Sequence, residues 1–261
     1  MSITHQSAFR PEKASALVVG TVEHWPCASQ VEMHSHERHQ LMYSTRGVMH
    51  VVTESGRWIL PPTRAIWIGV GTVHAFLAKR PVDTTILYID PLAKGAPRWR
   101  GCVVVNVSVL VRELIAACAA LPWDHRPQSR EGRLARVLLE QLDALPQAPL
   151  DLPEPSDPRA ARVAARLMRH PADRTPLAML ASDAGASVAT IERLFTAQTG
   201  MSFAAWRLRL RMIAALEQLA NGESVSNVAL AVGYESPSSF IAAFREMFGT
   251  TPARYFDGFK P

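Results

Sequence analysis

The feature that most constrains this chain is a pattern that occurs twice in its C-terminal half. The run LAMLASDAGASVATIERLFTAQTG, residues 177–200, predicts a short helix, a turn at Gly185 and a second helix. Leu177, Leu180, Ala181 and Ala184 make one apolar face, Ser187 is placed to cap the next helix, and Ile191, Leu194 and Phe195 point inward. The run SVSNVALAVGYESPSSFIAAFREMFG, residues 224–249, repeats the outline. Here Val225, Val228, Ala229 and Val232 are inward, Gly233 turns, Ser236 caps with Pro237 at the first helical position, and Phe240, Ala243, Phe244 and Phe248 pack. One such pattern alone is as well read as an ordinary helical hairpin; two copies point to a pair of helix-turn-helix units. Phe203 to Ala220 joins them as one amphipathic helix, about 27 Å long at 1.5 Å per residue. Successive major grooves on one DNA face lie about 34 Å apart, so recognition helices held at its two ends can enter adjacent grooves.

The residues LASDAG, TIERLFTAQTG, MSFAAWRLRLRMIAALEQLANG and VALAVGYESPSSFIAAFREMFGTTPARYF resemble the AraC/XylS family of bacterial transcription regulators over about residues 159–257. The closing run from Phe248 to Tyr255, FG-x-TP-x-x-Y, is the most specific part. The resemblance implies a sequence-specific regulator whose partners are double-stranded promoter DNA, a small-molecule effector, RNA polymerase and a second copy of the chain. Helix geometry and the resemblance together leave Ser187, Val188, Ala189, Glu192 and Arg193 outward on the first recognition helix. On the second they leave Ser236, Ser238, Ser239, Ile241, Ala242 and Arg245. Arg193 is the candidate guanine contact, because its fork can bridge O6 and N7; the alternative is a phosphate contact. The second helix offers short side chains, which suits phosphate contacts and DNA shape, with its serines as donors. Arg207, Arg209 and Arg211 alternate at a spacing of two and cannot share one face. Some of them are expected in solvent or paired with Glu217 rather than on DNA.

Charge adds little to this reading. Of the net +5, residues 157–261 hold 12 Lys and Arg against 9 Asp and Glu, +3, leaving +2 for the rest. The three cysteines, Cys27, Cys102 and Cys118, are widely spaced without a CxxC pair, which argues against a disulfide framework or a zinc finger and suggests buried apolar roles. No apolar run approaches the ~20 residues of a membrane span. The start, MSITHQSAFRPEKAS, lacks an apolar signal core, so a cytoplasmic protein without a membrane partner is expected.

The N-terminal half has a different period. Between residues 17 and 90, the runs QLMYST, VMHVVT, RWIL, AIWI, HAFLA and TTILYI are separated by turn signals, the mark of a sandwich or small barrel. From Val107 the spacing turns helical, through Val107, Leu110, Val111, Leu114, Ile115 and Cys118, then Leu134, Val137, Leu138, Gln141, Leu142 and Leu145. This predicts an antiparallel helix pair that either covers the barrel or serves dimerisation. Residues 146–158, PQAPLDLPEPSDP, hold five prolines, a composition that blocks helix and sheet and favours an extended spacer. The expected fold class is multidomain α+β: a cupin-like β-barrel with a helix pair over residues 1–145, a linker over 146–158, and an all-α double helix-turn-helix over 159–261.

His34 and His36 share one face of a strand, with Gln40 and Met42 in the same phase, and His74 follows on a later strand with Phe76. Three neutral imidazoles from two strands can hold Zn, Fe, Ni or Mn. Equally, they can line a metal-free pocket as hydrogen-bonding groups. The segment resembles the cupin family over about residues 30–90. His34, His36, Gln40 and Gly47 match its first motif, with Gln40 where a Glu ligand is usual. Gly69, Gly71 and His74 match the second, with Gly69 in place of Pro and Ala78 in place of Asn. Together with Pro61 to Trp67, these residues resemble the cupin-bearing subgroup of AraC regulators that includes nitroimidazole resistance. No cofactor is required by this reading; a divalent metal is the alternative that the cupin resemblance implies. His39 and His50 are out of phase and are expected at the surface or across strands. An effector pocket would be bounded by Gln40, Met42, Trp58, Arg64, Trp67 and Phe76. A competing reading is a metal-dependent cupin dioxygenase or isomerase with a DNA-binding tail. The absence of an acid/base pair beside the histidines argues against it, and no catalytic residue is assigned.

Overall fold

The computed structural model describes residues 10–54, 56–148 and 150–256. They form two compact units, Met1–Glu54 with Trp58–Pro149, and Ser55–Arg57 with Leu150–Pro261.

The first unit opens with a 3-10 turn, Pro11–Lys13, and continues through β1 (Val18–Trp25), β2 (Ser29–His34), β3 (His39–Arg46), β4 (Met49–Thr53), β5 (Gly56–Leu60), β6 (Arg64–Ile68), β7 (His74–Ala78), β8 (Val82–Ile89) and β9 (Cys102–Asn106). Helices α1 (Val109–Ala119) and α2 (Arg130–Asp143) follow. One sheet has the order β1-β8-β3-β6-β9, and the other runs β5-β4-β7-β2 within this unit. The pairings are antiparallel, with Gln40 opposite Ile68 and Tyr88, and Leu41 opposite Trp67 and Leu87. Strand β9, in a stretch where periodicity predicts no element, closes the edge of the first sheet against β6.

Side-chain parity sorts β3 into two jobs. Leu41 and Tyr43 join Ala65, Trp67, Leu87 and Ile89 beneath α1 and α2, whereas Gln40 and Met42 point to the opposite face of the sheet. Both faces are buried, so β3 carries apolar residues without strict alternation. The helix pair is present, and the side chains of Ser108 and Ser129 cap its two members. The expected stripe on α2 is wrong in part. Ala135, Leu138, Leu139 and Leu142 are buried, while Val137 and Gln141 are exposed. The buried set follows i, i+3, i+4, i+7, and each buried leucine contributes about 1.5–3 kcal/mol. In α1 the same correction applies to Leu110, which is exposed.

The second unit contains β10 (Asp151–Pro153), α3 (Pro158–Arg169), α4 (Leu177–Asp183), α5 (Val188–Thr199), α6 (Phe203–Ala220), α7 (Val225–Ala231), α8 (Pro237–Phe248) and α9 (Pro252–Tyr255). The proline-rich segment is therefore not free of regular structure. Proline is tolerated at a strand end, where its missing N–H breaks no ladder bond. Leu150 and Leu152 are buried. The Trp206 indole donates to the Pro153 carbonyl at 2.7 Å, Arg209 donates to Asp151 at 2.9 Å, and the Gln198 side-chain carbonyl accepts from the amides of Ser156 and Asp157 at 3.0 Å.

Arg207 and Arg211 lie four residues apart on α6 and clamp the loop between α3 and α4. Arg207 donates to the Asp173 and Thr175 carbonyls, and Arg211 donates to those of Pro171 and Asp173. These arginines satisfy loop carbonyls instead of standing in solvent, a role their i, i+4 spacing permits. Among the described residues, no helix is long and apolar enough to cross a membrane.

Candidate functional site

His34 ends β2 opposite His74 at the start of β7, where the β2–β7 register shifts between Val31 and His34. His36 lies two residues beyond, in the irregular segment before the bend at Glu37 and Arg38. The ring of His34 lies 4.4 Å from that of His74 and 4.8 Å from that of His36. One nitrogen from each of the three falls within 4.8 Å of the others.

Hydrogen bonding shows which ring nitrogens of His34 and His74 are already engaged. His34 Nδ1 lies 2.8 Å from the Glu32 carbonyl, and His74 Nδ1 lies 2.8 Å from the Thr72 carbonyl. A carbonyl only accepts, so each Nδ1 carries the proton and each Nε2 keeps its lone pair. The Nε2 atoms of His36 and His74 are buried without a hydrogen-bond partner. His36 Nδ1 faces the Glu12 carboxylate at 3.6 Å. Burial pushes His74 down to about 4, with His34 and His36 acting the same way and the Thr72 carbonyl opposing. Burial, then His34, also lowers His36, against Glu12. Lowered from the ordinary value, the His36 and His74 imidazoles are neutral at pH 7, the form that ligates metal. Three clustered ring nitrogens, with Nε2 of His36 and His74 buried and unpartnered and Nδ1 of His34 and His74 bonded to carbonyls, fit a divalent cation.

Gln40 is 1% exposed, donates to the Tyr88 hydroxyl at 3.3 Å, and leaves its Oε1 buried without a partner. The Tyr88 ring lies 5.1 Å from that of His36, so Tyr88 links Gln40 to the histidine cluster. Met42 shares its face, and Phe76 packs 5.0 Å from His74 and 5.9 Å from His34. The remaining pocket residues are dispersed. Trp67 has the parity of Leu41, lies among the side chains beneath α1 and α2, and contacts Trp99 and His39. It is thus on the sheet face opposite Gln40. Trp58 is half-buried on β5, which β4 separates from β7. The Arg64 guanidinium turns back to the Thr63 carbonyl and hydroxyl. His39 accepts from the Val70 amide, and His50 pairs across to Leu77, so both stand apart from the cluster. The carboxylate nearest the histidines, that of Glu12, has no spacing relation to either motif; nothing local in the sequence signals it.

Of the cysteines, Cys118 is buried and Cys102 partly so, and burial pushes both thiols up to about 12. Cys27 is exposed, contrary to the expected buried role, because it lies in the turn between β1 and β2 and donates to the Lys79 carbonyl.

In the second unit, α5 and α8 follow Gly turns, and Ile191, Phe195, Phe240 and Phe244 anchor them. Ala189, Arg193, Ser238, Ser239, Ala242 and Arg245 are exposed. Four expected DNA-facing residues have internal work. Ser187 and Ser236 cap the amides of Thr190 and Ser239, and half-buried Glu192 accepts from the Phe203 amide at the start of α6. The Ser239 hydroxyl donates to the Ser236 carbonyl.

Comparison with known proteins agrees with both units. The family model for a helix-turn-helix domain matches residues 180–258, and that for an AraC-like ligand binding domain matches residues 27–142. The chain is 32% identical over 223 residues to the HTH-type transcriptional regulator NimR of Escherichia coli strain K12, covering 85% of this chain and 81% of that protein. It is 39% identical over 116 residues to the regulator RipA of Corynebacterium glutamicum, covering 44% of this chain and 34% of that one. The solved DNA-binding domain of AdpA, in complex with a target DNA, is 32% identical with a TM-score of 0.37, covering 40% of this chain and 93% of that one. With the duplicated turn, its capped recognition helices and a ligand-binding domain match ahead of them, the chain belongs to the AraC family of DNA-binding, ligand-responsive transcriptional regulators.

Proposed function

We propose that this regulator senses a divalent metal, alone or as part of a bound effector, through His34, His36 and His74, with the Gln40 carbonyl oxygen as a further donor. The observation that carries this reading is that one ring nitrogen from each of the three histidines lies within 4.8 Å of the others, with Nδ1 of His34 and His74 held by carbonyls and Nε2 of His36 and His74 buried and unpartnered. Imidazole donors with a neutral amide suit Zn, Ni, Co or Fe(II), which tolerate nitrogen-rich shells, better than Mg or Ca. The bound cation would supply a concentrated charge and an open coordination position for an effector. Met42 and Phe76 make the apolar surround.

The output of that site is promoter occupancy. Arg193 on α5 reads a base, while Ser238 and Arg245 on α8 hold phosphates. The sensor occupies residues 1–145, residues 146–158 join it to the reader at 159–261, and the chain works in the cytoplasm as a homodimer that contacts RNA polymerase. Its matches are to transcriptional regulators, which supports a binding role rather than a catalytic one. Zn(II) titration of the metal-stripped chain tests the sensing reading. Stoichiometric binding is expected, and the double variant His34→Ala, His74→Ala is expected to lose at least about 100-fold in affinity, given that second-sphere changes alone cost 10–100-fold. Genomic footprinting of wild type and variant, with and without metal, then shows whether occupancy follows. Unchanged affinity in the double variant refutes the site.

A further inference from the structure

His34 and His74 are oriented by carbonyls two residues away, at Glu32 and Thr72, so their geometry is set by their own strands. His36 differs. The group facing its Nδ1 is the Glu12 carboxylate at 3.6 Å, brought from the 3-10 turn Pro11–Lys13, far away in sequence. A buried guanidinium fixes the segment that carries Glu12. Arg38, 5% exposed, donates to the Ala14 carbonyl at 2.6 Å and the Ala16 carbonyl at 2.9 Å, with Asp90 at 3.8 Å as its counter-charge. Pro11 and Ala16 are buried, and the Ala16 amide donates to the Trp123 carbonyl at 3.2 Å. Glu12 itself is exposed, so its side chain does not hold the fold together.

An imidazole whose Nδ1–H meets a carboxylate is held in the tautomer that offers Nε2, and its Nε2 is more basic than that of an imidazole meeting water. A cation at Nε2 draws electron density from the ring, makes Nδ1–H a stronger donor and favours closing the 3.6 Å separation from the carboxylate to hydrogen-bonding distance. Linkage makes the effect reciprocal: what metal gains from Glu12, Glu12 gains from metal. We propose that Glu12 is the outer-sphere carboxylate of the three-histidine site, and that metal loading and the fastening of residues 11–16 are thereby coupled. This rests on the metal reading above.

Competition titration of the full chain with Zn(II) and a chromophoric chelator tests it. Glu12→Ala is expected to weaken Zn(II) affinity by roughly 10–100-fold, and Glu12→Gln, which keeps an acceptor without the charge, to fall between. Hydrogen exchange at the amides of residues 12–16 is expected to slow on Zn(II) loading in wild type and to respond much less in Glu12→Ala. Wild type that binds while Glu12→Ala binds equally overturns this inference and leaves the metal site standing. Exchange at residues 12–16 that ignores Zn(II) in a wild type that binds it overturns the coupling. A wild type that binds no Zn(II) overturns the metal reading and this inference together.

Discussion

Under the reading proposed above, base recognition by α5 rests on Arg193, which is exposed, as is Ala189, while Glu192 is half-buried. Arg193→Ala is expected to cost about 1–3 kcal/mol at one base position and to relax specificity there. Binding to matched duplexes varied at single positions checks this, and an equal loss on specific and random DNA would make Arg193 a phosphate contact. At this scale the sequence was only partly legible. Periodicity places Glu192 and Ser187 on the outward faces, but it does not tell which outward side chains are already bonded. Glu192 is bonded to the Phe203 amide because the loop after α5 folds back and delivers the N-terminus of α6, with its unsatisfied amides, to that carboxylate. Likewise, His34, His36 and His74 could be read from phase and spacing, whereas Glu12 could not, since its proximity arises from the Arg38 bonds to Ala14 and Ala16.

The two helix-turn-helix copies look alike in sequence and differ in how tightly their turns are enclosed. Gly185 has φ of +72° and open space where a Cβ would stand. Gly233 has φ of +88°, and a Cβ there would sit 3.0 Å from the Ala172 carbonyl oxygen and 3.1 Å from the Ala172 Cα. Gly185→Ala should therefore cost only left-handed backbone strain, about 1–2 kcal/mol. Gly233→Ala should add overpacking of about 1–3 kcal/mol against backbone held by Arg207 and Arg211. Thermal denaturation of both variants measures the difference, and equal losses would contradict the asymmetry. Helix α6 was readable to the residue because Ser202 caps it and Asn221-Gly222 ends it. Strand β10 was not, because a proline-rich run reads as spacer until Trp206, Arg209 and Gln198 are seen to bind it.

At the scale of the whole molecule, α1 and α2 leave Val109, Leu110 and Val137 exposed by 69%, 56% and 44%. Apolar residues on helices that already bury a full stripe suit a second copy of the chain. Light scattering at micromolar concentration should give about twice the 28.7 kDa chain mass, and Leu110→Glu should return it to the monomer; a monomeric wild type would refute the interface. The sequence by itself determined the β-rich and helical classes, the duplicated turns and the three histidines. All of these follow from local propensity and the periods of strand and helix, which a one-dimensional pattern carries. Tertiary structure alone decided that Trp67 lies beneath α1 and α2, that Arg207 and Arg211 clamp a loop, and that Glu12 meets His36. Each depends on which of several compatible partners the folded chain brings within hydrogen-bonding or packing distance, and that choice is made by the summed packing of residues far apart in sequence.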